Sequence, residues 1–241
     1  MDPVRIDTIR DNASRVMEQI ETAAISAGRD PASIRLVAVT KGHPAEMVRA
    51  AVDAGLRLFG ENYVEEALDK IQMLAGEDNL EWHMIGHLQS RKARLACQQF
   101  DVLESLDSLK IAVRLDRFAG EIWRILPVLL ECNVSGEVTK HGFPAWQEER
   151  WPDLIEEIES ILELPNLEMR GLMTMAPYFE DAEMARPTFQ KLGRLRNFLA
   201  RRFPQVSWND LSMGMSADFR VAVQEGATIV RIGTAIMGPR V

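Results

Sequence analysis

Cysteine is almost missing from this chain. Cys97 and Cys132 are the two in 241 residues, too few for a disulfide framework or a cysteine-rich metal centre. No apolar run approaches the roughly 20 residues that a membrane span needs. No glycine-, serine- or proline-rich stretch and no shift of composition divides the chain, so a linker between domains is not expected and 1–241 reads as one domain. Positive charge is also in short supply: Lys and Arg number 28 against 36 Asp and Glu, a formal net charge of -8. That excludes a nucleic-acid binder relying on a bulk positive field, though not a local basic pocket for one phosphate. The short basic runs 91–94 and 201–202 read as solvated helix faces. Residues 1–15 are charged throughout, not a basic patch followed by an apolar core, so no secretory signal is read and a reducing cytoplasm is the expected setting.

What the chain does have is alternation, with 46% hydrophobic residues to build a core. Apolar, β-branched runs recur at 34–40, 58–60, 82–86, 102–106, 126–134, 169–175, 206–211 and 228–232. Segments with helical spacing lie between them, for example 45–54, 64–74, 109–118, 151–162 and 184–203. Asp107, Asp181 and Ser216 stand where N-caps belong, and Gly55 and Gly226 where helices stop. Eight strand-like runs separated by helices predict an α/β fold with a parallel sheet, and eight strands close a (β/α)8 TIM barrel. The other candidate, a doubly wound open sheet, lacks its G-x-G-x-x-G after the first strand. An amphipathic helix over about 5–27 precedes the first strand; we expect it to fill the ring position of a full eighth helix.

Barrels of this kind place their chemistry at the carboxyl ends of the strands. The first run ends Val37-Ala38-Val39-Thr40-Lys41-Gly42-His43-Pro44, where period-two alternation puts Val37, Val39 and Lys41 on one face. An amine sheltered at the mouth is poorly hydrated, which lowers its pKa and makes it a nucleophile; the plain alternative is a surface lysine at a strand end. The last run reads Ile229-Val230-Arg231-Ile232-Gly233-Thr234, and the seventh ends Leu211-Ser212-Met213-Gly214-Met215-Ser216. Two turns bearing glycine and hydroxyl groups at these two strand ends suit an anion such as phosphate, or are ordinary turns. Alternation points Arg231 inward, where it requires a partner: a cofactor ring nitrogen or a carboxylate such as Glu61. Asn62 either orients a ligand ring or helps cap the next helix. His83 and His87 have the spacing of a helical metal pair, but they sit on a strand interrupted by Gly86 and lack a third ligand, so no metal is expected. His141 lies in a loop that covers the site or is simply exposed. No serine triad, paired-carboxylate signature or P-loop is present.

The strings AVTKGHP, FGENYVEEALDK, LEWHMIGHLQSRK, GLMTMAP and above all LSMGMSADFRVAVQEGATIVRIGTAIMG resemble the pyridoxal phosphate homeostasis protein family, in order, from about Arg5 to Gly238. The resemblance implies a barrel like the N-terminal domain of alanine racemase, of fold type III, with pyridoxal 5′-phosphate (PLP) held as a Schiff base on Lys41. It further implies that Ser212, Gly233 and Thr234 hold the phosphate, that Arg231 faces the pyridine nitrogen and that Asn62 lies near the ring. The implied role is a PLP carrier in vitamin B6 homeostasis, a monomer that exchanges its cofactor by transimination, with PLP-dependent apoenzymes as recipients and no nucleic-acid or membrane partner. The alternative is a PLP-dependent racemase or decarboxylase of the same fold type. An arginine at the pyridine nitrogen weakens the ring as an electron sink. Racemisation also requires a second acid/base, and the tyrosines here are Tyr63 and Tyr178 alone. The chain departs from the family pattern at Arg91, where asparagine is usual, and at Gly42 and His43, where threonine or a further lysine is common.

Overall fold

The computed structural model describes residues 3–239; Met1, Asp2, Arg240 and Val241, the ends of the expected domain, lie outside them. The strands are β1 (Arg35–Val39), β2 (Leu58–Glu61), β3 (Glu81–Met84), β4 (Val102–Leu106), β5 (Leu126–Asn133), the two-residue β6 (Phe143–Pro144), β7 (Leu167–Met173), β8 (Asp210–Ser212) and β9 (Ile229–Ile232). All their pairings are parallel. The order β4-β3-β2-β1-β9-β8-β7-β5 returns on itself where β5 pairs with β4, closing an eight-stranded barrel, with β6 appended to β5. The first and last barrel strands are neighbours, Arg35 opposite Ile229 and Val37 opposite Arg231.

Helices follow the strands: α2 (Ala45–Asp53), α3 (Val64–Met73), α4 (Ala93–Gln99), α5 (Leu109–Glu121), α6 (Ile155–Leu162), α7 (Arg186–Arg202), α8 (Phe219–Gln224) and the single turn α9 (Thr234–Met237). The leading helix α1 (Pro3–Ser26) buries Ile9, Ala13, Val16, Ile20 and Ala23, a stripe at alternating spacings of four and three that faces the barrel. It packs against α2, α8 and α9, the ring position expected for it. Each buried isoleucine of that stripe contributes about 1.5–3 kcal/mol of apolar transfer. Among the described residues no helix is long and apolar enough to cross a membrane.

Two hydrophobic layers result. A large one fills the space between sheet and helices. A small one, Val37, Val102, Leu129, Met173 and Ile229, plugs the barrel's interior. Gly60 faces that interior, and a Cβ there would sit 2.9 Å from Val37 Cγ1. Gly55 and Gly226 end their helices with φ of 103° and 102°, as glycine permits.

Some expectations shift. The seventh strand is Asp210–Ser212 and not 206–211: Val206 and Trp208 are loop residues, and the indole Nε1 of buried Trp208 donates to the Phe203 carbonyl at 3.3 Å. The segment 151–162 opens as a 3-10 stretch containing Pro152, which cannot donate an α-helical bond. Asp181 caps a 3-10 turn through the Glu183 N–H. Asp107 caps nothing, because the N-cap of α5 is Ser108 and the Asp107 carboxylate holds His87 instead. Ser216 is no cap either; it lies in a turn before α8 whose geometry Asp218 sets by accepting the Met215 N–H at 2.7 Å.

Candidate functional site

A cavity of about 270 Å³ opens at the carboxyl ends of β1, β2 and β9. Lys41 enters it from the turn after β1, beside Val39 on the same face. Gly42 follows with φ of 74°, a left-handed conformation that glycine accepts freely, and its N–H donates to Glu66 Oε1 at 2.5 Å. His43, buried, also lines the cavity. Asn62 comes from the end of β2, and its Oδ1 is buried with no hydrogen-bond partner. Gly233 and Thr234 begin α9 on the opposite wall, and Arg231 projects from β9 beneath them.

Five of the six expected site residues therefore meet: Lys41, Asn62, Arg231, Gly233 and Thr234. Ser212 does not line this cavity. It is fully buried on β8, where its Oγ donates to Glu104 Oε2 at 2.5 Å and receives a hydrogen bond from Arg231 Nη1. The hydroxyl that reaches the wall is Ser216, four residues on, whose Oγ accepts the Ala235 N–H at 3.4 Å. The chain swings outward between the two serines at Gly214, whose φ is 94°. Two serines in one glycine-bearing turn look alike in sequence; only that turn's path separates them.

Arg231 is buried with partners of its own. Nη2 donates to the Thr174 carbonyl at 2.8 Å, and Nη1 lies 3.7 Å from Glu104 Oε2. Glu61 is not its partner: that carboxylate points outward under α3, where Oε1 accepts from Thr40 Oγ1 at 2.5 Å and from Lys70 Nζ at 2.7 Å. Burial draws the Arg231 guanidinium's pKa below its ordinary value, against the pull of Glu104, Glu131 and Asp218. Deeper in the barrel, His83 Nδ1 is 2.5 Å from Glu104 Oε1 and its Nε2 is 2.8 Å from Glu81 Oε1. Burial opposes the imidazolium, but the two carboxylates outweigh it and lift His83 to about 9. The same partner, with Arg231, holds Glu104 below the usual carboxylate range despite complete burial. A polar column thus runs up the barrel, Glu81–His83–Glu104–Ser212–Arg231, ending under the cavity.

A second cavity of about 440 Å³ adjoins the first and shares Asn62, Ile85 and Met175 with it. His87, His141 and Glu131 are in its wall. His141 is exposed and lies in the wall of this second cavity, not of the one Lys41 enters; its ring stacks on His87 with centroids 4.0 Å apart. His83 and His87 make no metal pair, since one is inside the barrel and the other at its mouth, but His87, Asp107 and His141 bring ligand-type atoms within 4.8 Å of one another. Glu131 and the grouping of His87, Asp107 and His141 escaped the sequence, which placed Ser216 in a hydroxyl- and glycine-bearing turn without choosing it over Ser212. Alternation along β5 was the available signal for Glu131.

The alanine racemase, N-terminal domain family matches residues 4–241. The chain is 42% identical over 236 residues to a pyridoxal phosphate homeostasis protein of Vibrio cholerae, covering 97% of each. This chain belongs to the pyridoxal phosphate homeostasis protein family. The Escherichia coli K12 member is 40% identical over 241 residues, covering 98% of each. Among solved structures, PipY of Synechococcus elongatus PCC7942 with PLP bound aligns with a TM-score of 0.83 and 36% identity, over 95% of this chain and all of that one. Alanine racemase of Clostridium difficile 630 aligns with a TM-score of 0.69 at 14% identity, over 95% of this chain and 56% of its own. That likeness is one of fold, and it supports the barrel seen here.

Proposed function

We propose that this chain holds PLP through a reversible imine bond to Lys41 and serves vitamin B6 homeostasis by holding and releasing it. The supporting observation is convergence: an amine, an inward guanidinium, a buried Asn62 Oδ1 lacking a partner, and a hydroxyl- and glycine-bearing wall line one cavity of cofactor size. An unsatisfied buried polar atom is costly unless a ligand group meets it, so the cradle fits a polar ring. The family relatives carry the same cofactor in their names, and PipY was solved with it. Bound PLP supplies an aldehyde that amines add to reversibly.

In this reading Asn62 lies beside the ring. Gly233, Thr234 and Ser216 hold the phosphate, with Ser216 in the place first given to Ser212. Ser212 instead braces Arg231, whose guanidinium donates to the pyridine nitrogen; arginine has donors and no acceptor for a pyridinium N–H, so that nitrogen stays unprotonated. Such a ring is a weak electron sink, which favours a carrier over a racemase or decarboxylase. Tyr178, exposed at the rim of the cavity, is the feature that keeps the enzyme reading in view. The cytoplasm is the proposed compartment, apoenzymes the proposed recipients, and one domain and a monomer the proposed state.

Incubation of the protein with PLP should produce a visible absorbance band. Borohydride reduction should then fix the adduct on Lys41 by peptide mass, and Lys41→Ala should lack both. A wild-type protein without band or adduct would overturn the proposal. Turnover of amino acids by the loaded wild type, lost in Lys41→Ala, would decide for the enzyme; transfer to an apoenzyme faster than spontaneous release would decide for the carrier.

A further inference from the structure

The second cavity holds a carboxylate that lies outside the wall of the Lys41 cavity. Glu131, on β5, is 3% exposed and lines the cavity wall, yet its Oε2 has no hydrogen-bond partner. A carboxylate oxygen left so is expensive unless a cation meets it. Its surroundings point the same way. Asp107 adds a second negative charge nearby; of the two cations in the wall, Lys92 is ion-paired with Glu65 and the exposed Arg91 donates to Gln89 Oε1 at 3.0 Å. Burial and Asp107 push the Glu131 carboxyl up to about 7 against the pull of Arg231, the mark of a carboxylate short of positive charge.

A metal ion is the weaker occupant. Asp107 Oδ2 already holds His87 Nδ1 at 2.8 Å. The imidazoles of His87 and His141 lie face to face, 12° from parallel, so their in-plane lone pairs run alongside each other and do not converge on one ion as coordination requires. A primary ammonium fits better: it is compact, donates three hydrogen bonds, and enters a cavity that shares Asn62, Ile85 and Met175 with the one holding Lys41.

We propose that Glu131 and this second cavity form the site where the amine acceptor, as a primary ammonium, is held beside Lys41 before it takes the cofactor. The proposal rests on the PLP reading. The exchange needs no oxidant or reductant. The acceptor nitrogen forms a C=N bond to the cofactor's aldehyde carbon as that carbon's C=N bond to Lys41 Nζ breaks; of the acceptor ammonium's three protons one stays on the new imine and two pass to the protonated Lys41 imine nitrogen, which leaves as an ammonium. A free amino acid and a lysine side chain share this chemistry.

The test starts from wild type and Glu131→Gln, each first loaded with PLP as judged by its visible band; a wild type that does not load sinks the PLP reading and not this one. Loss of the band is then followed with alanine, with Nα-acetyl-lysine methylamide, and with hydroxylamine, a mostly uncharged nucleophile at neutral pH. Loss of one charge-assisted contact should slow alanine or the lysine derivative about tenfold in Glu131→Gln, while hydroxylamine keeps its rate. Whichever acceptor slows names the source. Equal slowing of hydroxylamine, unchanged rates with both amines, or disappearance of the difference in EDTA would overturn the proposal. If Glu131→Gln does not load, Glu131→Asp replaces it under the same criteria.

Discussion

At the scale of single residues the barrel's polar column makes sharp demands. His83 titrates near 9 in the folded protein against an ordinary 6.5. Its folded-state pKa is raised, so its stabilisation is full below pH 6.5 and disappears as pH climbs through 9. Glu131, lifted to about 7 from 4.5, also binds its proton more tightly when folded, so its ionisation costs stability between pH 4.5 and 7. Both effects run the same way. The urea midpoint should fall between pH 6.5 and 9, and His83→Gln should flatten that decline, whose size is roughly 3 kcal/mol. Arg231→Met leaves Glu104 paired with His83 but strips the Thr174 carbonyl and Ser212 of a charged donor, so about 1.5–3 kcal/mol should be lost, read by urea denaturation. The two serines should separate by assay. Ser216→Ala should weaken PLP binding about tenfold, one charge-assisted hydrogen bond's worth, whereas Ser212→Ala should act mainly on stability.

At the scale of elements, much of the architecture could be read in the sequence because parallel strands buried on both faces appear as short apolar runs between helical periods. The match was close at β1, β4 and β9. It failed around 206–211, where Val206 and buried Trp208 mimic a strand while filling a loop; apolar content reports burial, not extended backbone. The site was partly legible for the same reason. Alternation placed Lys41 and Arg231 on inward faces, but it has no grip on a turn, and it could not tell that Ser212 stays buried below the cavity while Ser216 reaches its wall beyond the bend at Gly214. Partners of buried charges were not legible either: Glu61 and Glu104 are both interior-looking carboxylates in sequence, and only β-strand orientation sends one outward to Lys70 and the other inward to Arg231. Within α1, Ile20→Ala should cost about 2–5 kcal/mol, since this fully buried side chain lies in the stripe that holds the helix on the barrel; thermal denaturation reads it.

For the whole molecule, a ligand that binds only the closed barrel should stabilise all of it. PLP at about 100 times its Kd should contribute about 2.7 kcal/mol, raising Tm by roughly 5–10 °C for a chain of this size. Pyridoxal, without the phosphate, should do much less at equal concentration, and calorimetry separates the two. Light scattering should give the mass of one chain, with or without PLP.

The pairing of β1 with β9 has a consequence for synthesis. α1 and β1 leave the ribosome roughly two hundred residues before their neighbours α8, β9 and α9, and Asn12 waits for the Ile236 carbonyl that it holds at 3.0 Å. Until those late segments emerge, the apolar stripe of α1 has only part of its cover and the nascent ring stands open along one seam, the circumstance in which molecular chaperones find work.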